Sequence, residues 1–537
     1  MENTDVIVVG AGPNGLTLAC ELGLAGVRAV VLERLPGPGD EPKANGLLGQ
    51  VVTMVDRRGL YGRLSGAEGS PAPLPAFVFA AMPLDLSLLA ENPVLSLPVP
   101  QPRLVRVLAD RAAELGADLR WGHAMVGLEQ DGESVTAEVE GPDGPYRLRA
   151  RHLVGADGGH SATRALSGIG FPGVSRDRTT TRTASVTVPD TWLDPATGGL
   201  NVPGHGTVPP FLGQRTENGG FTYAPLPGQP PLIVTVEWDR PGPEGPMSLA
   251  ELRDSVRRVL GVDMPLGPPT GPGPHVLRRR TGGNDRHAER FRDGRVFLLG
   301  DAAHVDTAGG QGLNLGMQDA MNLGWKIAAG IRGDAPAGLL DTYDSERRPA
   351  AERVTVYARA LNALLAPGGD VTALRELFGE LLTDADCVRR VADLIAGTDI
   401  RYDMGGDDPH PLVGRCAPDM ELHTREGPVR LAELTRTARP LLLDLTDGGV
   451  LAEALSGADE RVDVVVASPG SGTPAATGLL LRPDCYVAWA SSSPRPDRTE
   501  AAALRSAVHR WFGAPGGPVG EGPARLRVPA EACRGHR

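Results

Sequence analysis

Hydrophobic residues near the start of the chain fall into two short runs separated by a stretch of helical character. Asp5 is followed by the apolar run Val6–Val9, whose length and β-branched content predict a buried strand. A helix is predicted over Leu16–Gly26, and a second buried strand begins at Ala29 and ends at Glu33. Strand, helix and strand in this order predict two parallel strands joined by a crossover helix, which is the opening of a doubly wound α/β domain.

The remaining pattern predicts more of this domain, a second sheet and a small C-terminal α/β unit. Further elements of the first domain are predicted as helices near Val51–Leu60 and over Leu104–Leu115, Leu313–Gly330 and Leu339–Leu365, as a strand at Arg295–Gly300, and as an inserted β-meander at Asp118–Trp121, Ser134–Glu140 and Tyr146–Arg151. A Pro-rich piece after residue 70 and the stretch Pro172–Pro274, with β-like runs between Gly and Pro turns and one helix at Ser248–Leu260, predict the second sheet. The C-terminal unit is predicted from strands at Pro440–Leu445, Val462–Val466 and Cys485–Trp489 and a helix at Glu500–Trp511.

Composition limits the classes of partner. The 537 residues carry a net charge of −12 without a basic cluster, which argues against binding to nucleic acid or anionic lipid. There is no apolar run of about 18 residues and no charged leader, so we expect no membrane span and a cytoplasmic protein. The five cysteines are far apart in sequence and include no C-x-x-C pair, which predicts neither disulfides nor a metal site. A small-molecule partner is therefore expected.

The turn after the first strand has the spacing of a dinucleotide-binding motif, G-x-G-x-x-G. Gly10 permits a tight turn, Gly12 allows the backbone to approach a pyrophosphate, and Gly15 allows the helix to pack close to the strand. Glu33, at the end of the next strand, lies where a carboxylate binds a ribose hydroxyl. The alternative is a glycine turn in an α/β unit that binds no nucleotide.

Two further motifs place an acidic residue and glycines after predicted strands. Asp157 ends an apolar strand and is followed by a predicted helix with Ser161 and Arg164, although such a segment alone is equally typical of an ordinary strand–turn–helix junction. The third motif is Gly300–His304 followed by Gly309–Asn314, where helix N-terminal amides suit a ring that gains negative charge. The alternative is a metal or hydrolase site built on Asp301 and His304. It is disfavoured because the surrounding sequence offers no further metal ligands and no nucleophile elbow.

In this order the three motifs resemble the single-component flavoprotein monooxygenases of the para-hydroxybenzoate hydroxylase group, over roughly residues 5–360. Within that group the likeness is to bacterial aromatic polyketide hydroxylases and rifampicin-type monooxygenases, and Gly414–Asp419 and Leu481–Trp489 resemble their thioredoxin-like C-terminal domain. The resemblance implies a Rossmann-like FAD-binding domain of residues 1–70, 101–171 and 276–395, an inserted β-sheet substrate domain of residues 71–100 and 172–275, and a thioredoxin-like α/β domain of residues 396–537.

The resemblance also implies which residues contact FAD, whereas it assigns no catalytic residue. The pyrophosphate would lie at the first motif, the adenosine ribose at Glu33, the ribityl chain at Asp301 and the pyrimidine edge of the flavin at Leu313 and Asn314. Asp157 belongs to a motif implied to serve both FAD and NADPH. The implied set is Gly10, Gly12, Pro13, Asn14, Gly15, Glu33, Arg34, Lys43, Gln101, Met125, Asp157, Asp301, Gly312, Leu313 and Asn314.

The implied reaction is reduction of FAD by NADPH, addition of O2 to the flavin C4a, and transfer of one oxygen from this C4a-hydroperoxyflavin to an aromatic polyketide or similar multi-ring secondary metabolite. No second Rossmann motif is present, so we expect no separate NADPH domain. Baeyer–Villiger insertion, another flavin-dependent tailoring reaction, a non-catalytic flavin-fold binding protein and assembly into a homodimer stay open. The aromatic residues that would either line the pocket or, as is more common, belong to the core are Phe77, Phe79, Phe211, Phe221 and Trp238.

The chain departs from its relatives at two places near the implied flavin site. Lys43 and Gln50 stand where relatives commonly have Arg, and Lys43 retains a point charge without the bidentate fork. Val305–Ala308 lacks the proline that relatives place against the flavin ring and is one residue shorter. We expect this segment to govern the reaction, through a less constrained loop and the charge of Asp306, rather than the affinity for FAD.

Overall fold

The computed structural model describes residues 2–40, 44–226, 228–271, 273, 275–306, 311–406, 409–455, 461–470 and 472–513. Among these residues no helix is both long enough and apolar enough to cross a membrane. The helices are α1 (Pro13–Leu24), α2 (Gln50–Arg57), α3 (Tyr61–Ser65), α4 (Gln101–Glu114), α5 (Ala162–Leu166), α6 (Leu249–Leu260), α7 (Gly312–Arg332), α8 (Thr342–Leu365), α9 (Gly369–Leu381), α10 (Ala385–Ala396), α11 (Leu431–Leu434), α12 (Val450–Leu455) and α13 (Arg498–Phe512). Short 3-10 turns lie at Leu86–Leu88, Asp190–Trp192, Gly300–Ala302 and Leu339–Asp341.

A six-stranded, mostly parallel sheet forms the centre of the molecule. In spatial order its strands are Arg292–Asp293, Val296–Leu298, His152–Gly155, Val6–Val9, Ala29–Glu33 and Asp118–Trp121, and only the first pair is antiparallel. Side chains of α1, α4 and α7 pack on one face of this central sheet, and a second sheet packs on the other. Burial on both faces explains why Val6–Val9 is an unbroken apolar run. The predicted α/β fold class is confirmed.

The second sheet has four strands and corrects the predicted meander. Its strands in spatial order are Glu2–Asn3, Gly144–Ala150, Val135–Gly141 and Ala124–Gln130. The predicted meander strand Asp118–Trp121 does not belong to it, because this strand pairs in parallel with Val30–Glu33 at the edge of the central sheet. A short, partly polar pattern is typical of both an edge strand and a meander strand, and only the pairing separates them.

A third, antiparallel sheet of six strands lies between residues 173 and 305. In spatial order its strands are Gln214–Thr216, Gly219–Ala224, Leu232–Trp238, Gly173–Ser185, Leu277–His287 and His304–Val305. Helix α6 covers one face of this antiparallel sheet and forms a separate hydrophobic core with it. The last strand places the antiparallel sheet in direct contact with the segment that follows Gly300. Two-stranded pairs are formed by Gly46–Leu48 with Ser96–Pro98, Ala76–Phe79 with Met82–Asp85, and Leu200–Val202 with Gly206–Val208.

Helices α7 and α8 agree with the predicted helical stretches, whereas α9 and α10 are absent from the predicted elements. Helix α9 has no fully buried residue, and its leucines Leu374, Leu377 and Leu381 are exposed. Helix α10 has a start signal in the sequence, because the Asp384 side chain accepts hydrogen bonds from the amides of Asp386 and Cys387.

The described residues of the C-terminal region form two small sheets. One consists of Asp463–Val466, Leu441–Asp444, Gly478–Leu481 and Val487–Ser491 in spatial order, and the other of Gly427–Arg430, Glu421–Thr424 and Ser468–Pro469. Buried ion pairs attach this region to α7 and α8: Glu346 Oε2 accepts from Lys326 Nζ at 2.7 Å and from Arg482 Nη2 at 2.9 Å. The predicted α/β character of the region is confirmed.

Two cysteines that lie far apart in the sequence are neighbours in this region. The residue after Cys416 donates its amide to the Cys485 carbonyl at 3.0 Å, and Cys416 forms a β-bridge with Tyr486. The distance between Cys416 and Cys485 along the sequence therefore did not predict their distance in the structure. Both are free, and burial raises the pKa of Cys416 to about 11 even though Arg57 opposes this shift. Cys533 lies outside the described residues.

Candidate active site

The glycine turn after Val6–Val9 is tightly packed on one side and open on the other. Gly10 has a φ of +106°, and a Cβ there would lie 2.5 Å from the Ala156 carbonyl oxygen. A Cβ on Gly15 would lie 2.0 Å from the Gly10 carbonyl oxygen, whereas one on Gly12 would meet no atom within 4 Å. Gly12 is the N-cap of α1, and no side chain caps the first helical amides. The turn thus offers free amides beside open space, which suits a phosphate.

Glu33 is fixed at the end of its strand by backbone amides. Its carboxylate accepts hydrogen bonds from Ala11 N at 2.9 Å and Leu35 N at 3.0 Å, which ties the second strand of the motif to the glycine turn. Since a carboxylate can accept about four hydrogen bonds, Glu33 retains capacity for a ribose hydroxyl. Arg34 is exposed, and Met125 is buried in the adjoining four-stranded sheet. We call Gly10–Gly15 with Glu33 the phosphate corner.

The Asn14 side chain points into the protein. A Cβ built on either Gly300 or Gly316 would lie 2.2 Å from Asn14 Nδ2, so these glycines make room for the amide. Asn14 Oδ1 is buried without a hydrogen-bond partner among the described residues. Any contact of Asn14 with a pyrophosphate would therefore involve its backbone, and its side chain instead packs against the third motif.

The second motif is held by its own hydrogen bonds and is clamped to the third. Asp157 accepts from Ser161 Oγ at 2.5 Å and from Thr163 N at 2.9 Å, so its carboxylate stabilises the start of α5. Arg164 donates to the Ala302 carbonyl at 2.8 Å and to the Gly159 carbonyl at the same distance. One guanidinium thus joins the second and third motifs, although Arg164 and Ala302 are 138 residues apart in the sequence.

The third motif ends at the start of α7. Asp301 is exposed, and a Cβ on Gly312 would lie 3.7 Å from its Oδ1. No side chain caps α7, so its first amides can interact with a ligand. Asn314 is buried and its Oδ1 accepts from Leu48 N at 3.1 Å, while Leu313 is half-buried. We call Gly300–Asp306 with the start of α7 the ring corner.

The remaining predicted residues lie in a helix start, in the hydrophobic core, at the surface or outside the described residues. Gln101 begins α4 and donates its amide to the Ala44 carbonyl at 2.9 Å, beside the strand that contacts Asn314. Lys43 and the loop residues 307–310 lie outside the described residues, so the expectations for Lys43 and for the missing proline stay predictions. Among the aromatic residues, Phe221 and Phe79 are core side chains at 1% and 3% exposure, whereas Phe211 is exposed.

Sequence reasoning missed a buried ionic network that supports the ring corner. Asp319 accepts from His304 Nε2 at 2.7 Å, from Gly300 N at 3.1 Å and from Arg347 Nε at 2.7 Å. Arg347 also donates to the Tyr402 hydroxyl at 2.8 Å. Burial alone would raise the pKa of Asp319, but the Arg347 guanidinium and His304 lower it to about 2. Through Asp319, this network holds the Gly300 amide and the His304 ring at fixed positions relative to α7.

The signal that would have found the network is a row of polar side chains in a buried helix. Asn314, Gln318, Asp319 and Asn322 are all at most 5% exposed in the mostly apolar α7. Buried polar groups need partners, so this row predicts contacts with neighbouring elements, although it does not identify Arg347 as the partner.

Comparison with known proteins identifies this arrangement. Residues 3–358 match the family described as FAD binding domain, and residues 410–515 match the family described as aromatic-ring hydroxylase, C-terminal. The chain is 41% identical over 527 residues to the 12-dehydrotetracycline 5-monooxygenase/anhydrotetracycline 6-monooxygenase of Streptomyces rimosus, covering 95% of this chain and 99% of that relative. It is 37% identical over 520 residues to a rifampicin monooxygenase of Rhodococcus hoagii, covering 95% and 98%.

A solved structure agrees with the sequence relatives. The anhydrotetracycline hydroxylase from Streptomyces rimosus superimposes with a TM-score of 0.82 at 39% identity, covering 96% of this chain and 100% of that one. The phosphate corner and the ring corner both contain glycines, and Arg164 joins the second motif to the third. The two family matches cover most of the chain. The chain belongs to the FAD-dependent aromatic-ring hydroxylases and is a flavoprotein monooxygenase of class A.

Proposed function

We propose that this enzyme uses FAD and NADPH to insert one oxygen atom from O2 into an aromatic polyketide or a similar multi-ring secondary metabolite, by hydroxylation. The observation that carries this proposal is the convergence of the three motifs on one site, in a chain that aligns over nearly its whole length with enzymes named for anhydrotetracycline and rifampicin. The predicted domain boundaries and the individual FAD contacts are part of the proposal.

The residues of both corners fit a dinucleotide. The amides and open space at Gly12 would bind the pyrophosphate, Glu33 the adenosine ribose, and Asp301 the ribityl chain. The uncapped amides of Gly312–Asn314 would face the pyrimidine edge of the flavin, where the positive end of α7 stabilises negative charge. The bound flavin, once reduced by NADPH, supplies the activation of O2 and the transfer of one oxygen atom.

We propose that the substrate binds on the face of the antiparallel sheet opposite α6. Arg182, Ala184 and Thr235 are buried under α6, whereas the alternate positions on the opposite face are only half-buried. These positions are Thr181, Thr183, Val234 and Val236, which pair across two strands. The face mixes hydroxyl and methyl groups, as an oxygenated ring system requires, and its last strand continues into the ring corner.

The proposed reaction is tested with isotopically labelled oxygen. The flavin-loaded enzyme is incubated with NADPH, anhydrotetracycline or other multi-ring phenols, and 18O2, and the product is analysed by mass spectrometry. We expect one labelled oxygen atom per product molecule, on a ring carbon. Label in a lactone would instead show Baeyer–Villiger insertion, and NADPH-independent conversion without label would contradict monooxygenation.

Two further properties belong to the same proposal. An enzyme that consumes NADPH needs the cytoplasmic supply of this cofactor, so we infer a cytoplasmic location, which fractionation of the source cells tests. Assembly into a homodimer is an open part of the proposal, and sedimentation equilibrium of the purified holoenzyme gives the mass that decides between one and two chains.

A further inference from the structure

Four arginines that lie far apart in the sequence surround one cavity at the surface. The cavity has a volume of about 390 Å³ and is lined by Arg58, Gly59, Leu60, Arg63, Arg111 and Arg436. These residues follow α2, lie in α3 and α4, and follow α11 in the C-terminal region, and none of them belongs to the phosphate corner or the ring corner. We call this group of residues the arginine cavity.

The inner wall of the arginine cavity is fixed by a buried ion pair. The Arg58 side chain is 5% exposed, and its Nε and Nη2 donate to the two carboxylate oxygens of Glu21 at 2.7 and 2.9 Å. Arg58 also donates to the carbonyls of Thr435 and Pro483, at 2.9 and 2.7 Å. Arg58 and Glu21 therefore neutralise each other, and the donors for a ligand have to come from the other three arginines.

These three outer arginines have donors to spare. Arg63 Nη1 and Arg111 Nη1 each donate to the Glu114 carboxylate at 3.0 Å, and Arg436 comes no closer than 3.6 Å to Glu433. Their side chains are between 29% and 53% exposed. Since a guanidinium has five N–H donors, most donors of the outer arginines are not used by these contacts and can reach a ligand in the cavity.

The outer part of the arginine cavity is positive. Hydrogen bonds from Arg63 and Arg111 lower the pKa of Glu114 below its usual value, so this group is a carboxylate at neutral pH. One carboxylate is thus shared by two guanidiniums, while Arg436 and Glu433 are only loosely paired. Three guanidiniums face two carboxylates, although the whole chain carries a net charge of −12. An anion is therefore the ligand that suits this site.

The space behind the cavity limits the class of anion. A smaller apolar cavity of about 20 Å³ lies behind Arg58, Leu60 and Arg111, and it has room for one water-sized group only. An acyl chain or a ring cannot enter it, so recognition depends on charge. Guanidiniums that approach from separate elements match the oxygens of a tetrahedral phosphate, which point in several directions, better than one planar carboxylate.

We propose that the arginine cavity binds the phosphate group of a free metabolite, either inorganic phosphate or a nucleotide, between Arg63, Arg111 and Arg436. This site is additional to the FAD site and does not depend on the identity of the substrate. Two of these arginines belong to α3 and α4, and the third belongs to the C-terminal region, so a bound phosphate links the two parts of the chain. Phosphate should therefore raise the temperature of unfolding, because a ligand that binds the folded state stabilises it.

The first test is calorimetric titration of the holoenzyme with inorganic phosphate, in a buffer free of other multivalent anions. FAD then occupies its own site and leaves the arginine cavity as the place for phosphate. We expect binding to be weaker by roughly tenfold in Arg63→Gln and in Arg436→Gln, since each removes a charged donor. No binding to the wild-type enzyme, or unchanged affinity in both variants, would overturn the proposal.

Arg147→Gln is the matched control for these variants. Arg147 is 44% exposed and pairs with Glu129 at the surface, in the four-stranded sheet on the other side of the central sheet. Its substitution changes the net charge by the same amount and should leave the phosphate affinity unchanged. An equal loss of affinity in Arg147→Gln would show a general effect of charge and would contradict a site in the arginine cavity.

The second test removes the carboxylate that competes with phosphate. Glu114→Gln takes away one negative charge and returns donors of Arg63 and Arg111 to the cavity. We expect phosphate to bind roughly threefold more tightly, which is within the range of surface charge pairs. Glu129→Gln changes the net charge equally and should have no effect. Equal affinities in Glu114→Gln and the wild-type enzyme would exclude Arg63 and Arg111 as phosphate ligands.

The third test separates the two sources of phosphate. The holoenzyme is titrated with inorganic phosphate, with adenosine 5′-monophosphate and with adenosine. Tighter binding of the nucleotide than of inorganic phosphate, weakened in Arg63→Gln, would identify a nucleotide, and equal affinities would identify the phosphate group alone. Binding of adenosine as tight as that of the nucleotide would overturn recognition by charge. FAD content and thermal unfolding without phosphate show whether each variant retains the fold.

Discussion

The phosphate corner and the ring corner, which we propose to bind opposite parts of FAD, are formed by different kinds of contact. The phosphate corner consists of backbone amides, glycines and one carboxylate within 24 residues of sequence, counted from 10 to 33. The ring corner depends on the buried side chains of His304, Asp319 and Arg347, with Tyr402 behind them. The first is shaped by local chain geometry and the second by long-range ionic contacts.

This difference predicts that the two corners fail in different ways. A change in the phosphate corner alters the space for a ligand or the path of the backbone. A change in the ring corner leaves a charge without a partner in a part of the protein that water does not reach, which is more costly.

The largest effect is expected from Asp319→Asn. The substitution leaves the Arg347 guanidinium buried at 0% exposure with no ionic partner, so we expect the free energy of unfolding to fall by about 3–5 kcal/mol. Urea denaturation followed by circular dichroism measures this loss. The double variant Asp319→Asn/Arg347→Met removes both charges and should lose less than the sum of the two single losses. Additive losses would show that the two residues act independently.

The second-largest effect is expected from acid, which should lower the free energy of unfolding through two buried carboxyl groups, Asp319 and Glu346. Arg347 and His304 lower the pKa of Asp319 to about 2 against the effect of burial, and Arg482 and Lys326 do the same for Glu346. Their ordinary values are 3.8 and 4.5, so the unfolded chain binds protons first as the pH falls. The contribution of these two carboxyl groups to the free energy of unfolding is therefore present above about pH 4.5 and is lost as the pH falls towards 2. The loss is roughly 2 kcal/mol for each group.

Denaturation curves measured at several pH values test this dependence. Asp319→Asn serves as the control, since it lacks one of the two carboxyl groups and should lose stability less steeply between pH 4.5 and 2. A variant with the same acid slope as the wild-type protein would remove Asp319 from the explanation.

A matched pair of substitutions separates packing from ligand space in the phosphate corner. Gly10→Ala forces a side chain into a φ of +106° and against the Ala156 carbonyl, so we expect a loss of about 1–3 kcal/mol from strain. Gly12→Ala meets no protein atom and should keep the wild-type stability while it weakens FAD binding by about tenfold, or 1.4 kcal/mol. Denaturation and FAD titration of the apoprotein measure the two effects. Unchanged FAD affinity in Gly12→Ala would argue against a phosphate at this turn.

The same contrast explains how far sequence reasoning reached. The glycine turn and Glu33 were predicted because their roles depend on spacing along one strand–helix–strand unit. Asp319 was missed since its partner, Arg347, lies on another helix, and the pairing depends on how α7 and α8 pack. Sheet membership of Asp118–Trp121 was wrong for a related reason, because strand pairing is set by neighbours that are distant in sequence.

The smallest effect is expected at the outer end of the ring-corner network. The Tyr402 ring stacks on Tyr486 with centroids 4.1 Å apart, and the ring of Tyr402→Phe can keep this packing. The substitution removes the hydroxyl that accepts a hydrogen bond from Arg347 Nη1. Arg347 keeps Asp319 and the Leu315 carbonyl as acceptors in Tyr402→Phe. We therefore expect a loss of about 1 kcal/mol, the value of one hydrogen bond, with unchanged FAD content.

Tyr402→Leu provides the control, because it removes the stacked ring as well as the hydroxyl and should lose roughly 1 kcal/mol more than Tyr402→Phe. Both values come from urea denaturation of the holoenzyme, with flavin absorbance as the second readout. If Tyr402→Phe released FAD, the network would reach the cofactor through Tyr402, and the ring corner would extend to the segment that follows α10. If it had no effect on stability, the network would end at Arg347, and the ionic pair with Asp319 would be sufficient to hold the ring corner.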